Sequence, residues 1–208
     1  SGPAQFVSIS GRSEMIYTSN LQGELDNFAI EYKLEDLSQA KAGKYRTKIN
    51  YLLEGASVGQ MHLIDTLELE IDNPPIFDLE ITPELGGVIR FTNVTPSRPP
   101  QTYEVIFQTK SNIGRQYQLT QDTSSLLTNR EGGVMPQNYF TLIEESLKTK
   151  GNLKHLNKTE MKAGRTVLFT SDREGSSDQF KVIYELISPK SVQLGDYSTV
   201  LTYSLTEI

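Results

Sequence analysis

Residues 195–205, GDYSTVLTYSL, restate residues 43–53, GKYRTKINYLL, and this pair of stretches decides the fold class. In the downstream stretch Tyr197, Thr199, Leu201, Tyr203 and Leu205 occupy every second position. Upstream, Tyr45, Thr47, Ile49, Tyr51 and Leu53 do the same, with Arg46, Lys48 and Asn50 between them. Successive side chains of a strand point to opposite faces, so the spacing predicts a half-buried β-strand with an aromatic and β-branched inner face. A helix would scatter these residues around its circumference.

Outward from these strands the match runs without a gap from residues 14–54 onto 166–206, an offset of 166 − 14 = 152. Twelve positions are identical: Thr18/Thr170, Ser19/Ser171, Gly23/Gly175, Asp26/Asp178, Phe28/Phe180, Tyr32/Tyr184, Leu34/Leu186, Gly43/Gly195, Tyr45/Tyr197, Thr47/Thr199, Tyr51/Tyr203 and Leu53/Leu205. Average composition would supply roughly three matches over such a window, so the chain is internally duplicated. Phe28, Ile30, Tyr32 and Leu34 alternate, as do Phe180, Val182, Tyr184 and Leu186, which predicts a second strand in each copy. The Gly-x-Tyr that opens the last strand of each copy has the pattern of a tyrosine corner, in which the phenol bonds back to the backbone of the preceding turn.

Further strand signals fill the middle of the chain. Leu67, Leu69 and Ile71 alternate with Glu68, Glu70 and Asp72, Asn73-Pro74-Pro75 interrupts, and Phe77, Leu79 and Ile81 resume. A proline cannot donate to a ladder, so the double proline ends one strand before the next begins and marks a domain junction. GVIRFTNV, TYEVIFQTK, RQYQLTQD and RTVLFTS read as more strands. One helical turn is expected at Thr141–Glu144, where a capping-box pattern precedes a face of Phe140, Ile143 and Leu147.

The expected class is therefore all-β: an immunoglobulin-like Greek-key β-sandwich, tandem or duplicated, with at most one short helix. Residues 74–208, with about seven or eight strands, suit one complete sandwich. Residues 1–73 match only the second half of that unit and read as a partial copy. Either the chain begins inside an earlier domain, or it opens with an abbreviated copy, or the two copies share one larger sandwich. A half-sandwich leaves inner faces uncovered and edges unpaired. The N-terminal region is expected to pack extensively on residues 74–208 or to exchange strands between molecules.

Composition narrows the function classes. The net charge of −6 lacks the basic excess that displaces counterions from phosphate, so no nucleic-acid partner is expected. No apolar run approaches the roughly 18 residues that span a bilayer, so no membrane insertion is expected. The absence of cysteine excludes disulfides, thiolate catalysis and Cys-based zinc sites.

The catalytic inventory is short. His62 and His155 are the only histidines, and no GxSxG, HExxH, P-loop or GxGxxG pattern accompanies them. Catalytic, cofactor-binding and metal residues are all expected to be none, and the chain is expected not to be an enzyme. The loop SDREGSSD clusters Asp172, Glu174 and Asp178, oxygen ligands of the kind calcium uses, but without DxDxDG spacing, and a solvated hairpin loop is the stronger reading. Asn93-Val94-Thr95 and Asn157-Lys158-Thr159 have the form of glycosylation sequons at a chance frequency. Carbohydrate remains a possible ligand, although the chain has no tryptophan and six of its ten tyrosines sit in the repeated strands.

AGKYRTKINYLLEG and LGDYSTVLTYSLTE resemble the closing strand of bacterial surface and fimbrial sandwich modules, including chaperone–usher pilin-like and spore-coat-U-like domains. FDLEITPELGGVIRFTNVTP with SNIGRQYQL is similar to the opening half of such modules. The cysteine pair of many pilins is absent here. The resemblance implies a non-catalytic structural or adhesive module of an exported bacterial protein at the cell surface, in the periplasm or outside the cell. It would act through protein partners or self-association, by way of strand edges. A carbohydrate- or peptide-binding module of a larger secreted protein is the alternative.

Overall fold

The computed structural model describes residues 8–9, 11–19, 22, 27–38, 40–55, 59–84 and 86–208. Contacts divide the chain into two units, Ser1–Leu37 and Ser38–Ile208. The second opens with a hairpin of β1 (Gly43–Glu54) and β2 (Met61–Asn73). The double proline then separates β2 from β3 (Phe77–Thr82), which is followed by β4 (Val88–Val94), β5 (Gln101–Ser111) and β6 (Tyr117–Thr123). Next come β7 (Phe140–Lys148), the two-residue pieces β8 (Asn152–Leu153) and β9 (Thr159–Glu160), β10 (Gly164–Thr170), β11 (Asp178–Leu186) and β12 (Gly195–Glu207).

The strands from β3 onward form two antiparallel five-stranded sheets, in the orders β3-β5-β11-β7-β9 and β4-β12-β6-β10-β8. The fold is an all-β sandwich. Its core lies between the inner faces of the two sheets. On β11 the predicted set Phe180, Val182, Tyr184 and Leu186 is fully buried. Phe180 stacks on Phe107 of β5 at 5.4 Å and on Phe169 of β10 at 5.0 Å, and Tyr203 of β12 meets Phe107 edge-on at 4.8 Å. Each fully buried ring of this kind contributes about 1.5–3 kcal/mol.

Both Gly-x-Tyr segments form the same local structure. Tyr197 Oη donates to the Gln193 carbonyl at 2.9 Å, and Tyr45 Oη to the Lys41 carbonyl at 2.6 Å, four residues upstream in each case. Gly43 and Gly195 have φ of 149° and 141°, a backbone region that other residues rarely enter. The surroundings differ: Tyr197 is buried, whereas Tyr45 is 41% exposed. We expect Tyr197→Phe to cost about 1 kcal/mol in chemical denaturation and Tyr45→Phe measurably less. Equal costs would show that the hydrogen bond contributes nothing beyond its exposed twin.

Two sequence expectations are corrected. Phe28, Ile30, Tyr32 and Leu34 do not lie in a strand; among the described residues of 1–37 there is neither helix nor strand, and Phe28 (stacked on Tyr17 at 4.8 Å), Ile30 and Leu34 are exposed. The corresponding β11 is held by ladders on both sides, from β5 and β7. Alternation specifies a face, and a ladder still needs a neighbour. Residues 23–26, which carry the Gly23 and Asp26 matches, lie outside the described residues.

The predicted helical turn at Thr141–Glu144 is part of strand β7, paired with β11 on one side and β9 on the other. Phe140, Leu142 and Glu144 alternate into the core, and these two ladders override the local capping pattern. One turn of 3-10 helix, Gln137–Tyr139, precedes the strand.

Candidate interaction surface

The register of the hairpin sorts its side chains by chemistry. Tyr45 faces Ile71, Thr47 faces Leu69 and Ile49 faces Leu67, so one face of the ribbon is apolar. The alternate pairs Lys44–Asp72, Arg46–Glu70 and Lys48–Glu68 make the other face charged. Arg46 meets Glu70 at 2.9 Å, Lys48 meets Glu68 at 2.5 Å and Lys44 reaches Glu70 at 3.7 Å. Towards the tip Leu52, Leu53, Met61, Leu63 and Ile64 are 46–63% exposed. A two-stranded ribbon is marginal in water on its own, and clustered exposed apolar side chains mark contact surfaces.

The hairpin is anchored at its base. Asn112, at the end of β5, accepts the Ala42 N–H through its carbonyl at 2.8 Å and the Ile76 N–H through Oδ1 at 2.7 Å, while its Nδ2 donates to the Pro74 carbonyl at 3.1 Å. Lys41 pairs with Glu174, and Asn73 Nδ2 donates to the Ala40 and Lys41 carbonyls. Beyond this clamp no sandwich strand packs along β1 or β2. Among the described residues, the packing of the hairpin on the sandwich is confined to this clamp.

A second unpaired feature lies on β12. Its first half pairs with β4 from Gly195 to Val200, and its second half pairs with β6 from Leu201 to Glu207. The chain turns out of the sheet at Gly86-Gly87, where positive φ values of 54° and 78° carry it from β4 back to β3 in the other sheet. The last contact on that side is the Leu201 N–H to the Gly87 carbonyl, 2.9 Å. Among the described residues no strand pairs with β12 on that side beyond Val200. Phe77, Leu79, Ile81, Tyr203 and Leu205 are only partly buried against the core. A shallow cleft lined by Ala42, Pro75, Ile113, Arg115 and Glu207 opens at the end of this edge.

The residues flagged for chemistry are dispersed. His62 lies on β2 opposite Leu53, and His155 places ring Nε2 3.1 Å from the Val167 carbonyl. In the acidic loop Asp172 binds the Ser176 N–H at 2.9 Å and hydroxyl at 2.8 Å; burial pushes its carboxyl up, and these hydrogen bonds prevail and hold it low. Glu174 pairs with Lys41, and Asp178 is buried with Oδ1 on the Lys150 N–H. Three acids thus serve three separate structural tasks. Of the sequon residues, Asn93 donates its N–H to Asp196, and Asn157 accepts the Thr159 hydroxyl through its carbonyl.

Glu144 belongs to no catalytic or metal-binding sequence motif, yet it is buried on the inward side of β7. Its Oε2 accepts the Lys154 and His155 N–H groups at 2.7 and 2.8 Å, while Oε1 has no hydrogen-bond partner among the described residues. Burial pushes its carboxyl up to about 7, against the lowering effect of the two N–H groups. The available signal was its place in the inward series Phe140, Leu142, Glu144. Nearby, Tyr184 bonds Gln121 and meets the Tyr203 hydroxyl at 2.9 Å, a polar pair within the aromatic core. No family model, curated protein or solved structure matches this chain.

Proposed function

We propose that the chain is a non-catalytic structural or adhesive module of an exported bacterial surface or periplasmic protein, working through protein contacts and strand edges. The hairpin carries this reading: a ribbon with one apolar and one ion-paired face, clamped at its base and not packed along the sandwich. Side chains so arranged suit burial against another polypeptide. The resemblance of the Gly-x-Tyr strands to bacterial surface modules agrees with the location.

Protease shaving of intact cells that produce the native protein tests that location. Release of fragments from residues 38–208 without cell lysis, or from spheroplasts alone for a periplasmic form, is expected. Retention in the cytosol overturns the reading. Turnover of ester, glycoside, peptide and phosphate substrates is expected to stay at background. A reproducible activity lost in His62→Ala or His155→Ala would establish an enzyme instead.

A further inference from the structure

The duplication provides a template for what the open edge of β12 receives. Just past β1 the Gly55 N–H bonds to the Gln60 carbonyl, on the β2 side, while just before β1 the Ala42 N–H bonds away from it, to Asn112. Backbone groups alternate sides along a strand, so odd-numbered residues of β1 address β2. In β12 the odd-numbered Leu201 addresses the β4 side, while the Val200 carbonyl accepts the Ser124 N–H on the β6 side. The offset of 152 is even, so β2 lies on the edge of β1 that corresponds to the β4 side of β12. On β1 that edge is covered from Gly43 to Glu54; on β12 it is covered only as far as Leu201. Among the described residues no backbone group pairs with Tyr203, Leu205 or Glu207 on that edge.

We propose that the hairpin of one copy of this chain adds, by the outer edge of β2, to the open edge of β12 in a second copy. The contact rests on the reading of the chain as a contact module and names its partner. Charge selects the pairing. Two β1 edges together would set Lys44, Arg46 and Lys48 against their own kind, and two β2 edges would do so with Glu68, Glu70 and Asp72; like charges side by side on a sheet repel. The outward face at the end of β12 carries Thr202, Ser204 and Thr206, which are exposed and uncharged, so it accepts the carboxylate row of β2. On the inward side Leu67 and Leu69 extend the apolar surface of Tyr203 and Leu205. Donor and acceptor surfaces differ, so the contact is heterologous and propagates head to tail.

Sedimentation of the full chain over a concentration series tests this, with two variants. Leu69→Lys alters the donor face, and Ser204→Glu with Thr206→Glu places carboxylates on the exposed acceptor face, where folding is little affected. The parent chain is expected to form oligomers that lengthen with concentration, with hydrogen exchange slowing at the Tyr203 and Leu205 amides. Each variant alone is expected to be monomeric, and their equimolar mixture to stop at dimers, since one intact donor and one intact acceptor remain. A parent chain that stays monomeric to millimolar concentration, with unchanged exchange, overturns the proposal, as does failure of the mixed variants to associate. Association lost in Leu69→Lys but kept in the Glu variant would replace it with a symmetric hairpin-on-hairpin dimer. Any of these failures leaves the shaving result, and with it the cell-surface reading, separately decided.

Discussion

Raising the pH from about 4.5 to about 7 is expected to remove about 3 kcal/mol of stability through Glu144 alone. Below the ordinary glutamate range the carboxyl is protonated in both folded and unfolded chains, and it contributes no pH dependence. As pH rises, the unfolded chain ionises first, while burial keeps the folded carboxyl neutral up to about 7. The folded state binds the extra proton, so stability is fully present at low pH and is lost as pH climbs through the folded value. Asp178, which burial also pushes up despite the Lys150 and Gly151 N–H groups, adds to the same slope; Asp172, held low, opposes it. Glu144→Gln keeps an acceptor for the Lys154 and His155 N–H groups and removes the titration. Urea unfolding of parent and variant at pH 5 and pH 8 should therefore show a double difference of about 3 kcal/mol, with the variant the flatter of the two. Parallel pH profiles would mean that the carboxyl is ionised and solvated in the folded protein.

The same residue explains where sequence reading ends. A glutamate in the series Phe140, Leu142, Glu144 is an inward residue only if the segment is a strand, and Thr141–Glu144 also fits a helix start. The choice between them is made by β11 and β9, whose backbones hold both sides of β7, and neither is visible within the segment itself. For β11 and β12 the pattern was decisive, because aromatic, aliphatic and threonine side chains alternate from Phe180 to Leu186 and from Tyr197 to Leu205, and every inward position of β11 is buried.

The first copy shows the converse. Its Phe28–Leu34 alternation is as regular as that of β11, yet among the described residues it pairs with no strand, whereas β11 has β5 on one side and β7 on the other. Its Gly43–Glu54 strand does form, since β2 follows within hairpin distance and supplies a full-length ladder. Periodicity thus recorded the faces of both copies, and the availability of neighbours decided which became a sheet. The contact surface was partly legible as well. The alternation places Tyr45, Thr47 and Ile49 on one face, but that no sandwich strand packs along it depends on where those strands run.

Gly175→Ala is expected to cost about 3 kcal/mol or more, beyond the usual range for a single added methyl group. Gly175 is buried, with φ of +63°, and closes the turn of the acidic loop through its N–H to the Asp172 carbonyl at 3.1 Å. Two penalties coincide there. A side chain at this φ is strained by about 1 kcal/mol or more whatever the space around it. The added Cβ would also collide with the Arg115 carbonyl oxygen, at 2.8 Å from its carbonyl carbon and 3.1 Å from its nitrogen. Those are backbone atoms, so relief requires moving either the loop or the start of β6. The start of β6 is fixed in turn, because the Tyr117 N–H bonds Ser171 Oγ at 2.9 Å and the Tyr117 hydroxyl donates to the Ser176 carbonyl at 2.7 Å. Displacing the loop would break these bonds and disturb the edge contact of Tyr117 with Phe77, 5.6 Å between rings. Gly132→Ala is the matched control: it has a similar positive φ of 82° and open space at its Cβ, so it should show the conformational penalty without the collision. Thermal and urea unfolding of the two variants should differ by about 2 kcal/mol. Equal losses would show that the loop yields freely and that backbone strain alone accounts for glycine at position 175.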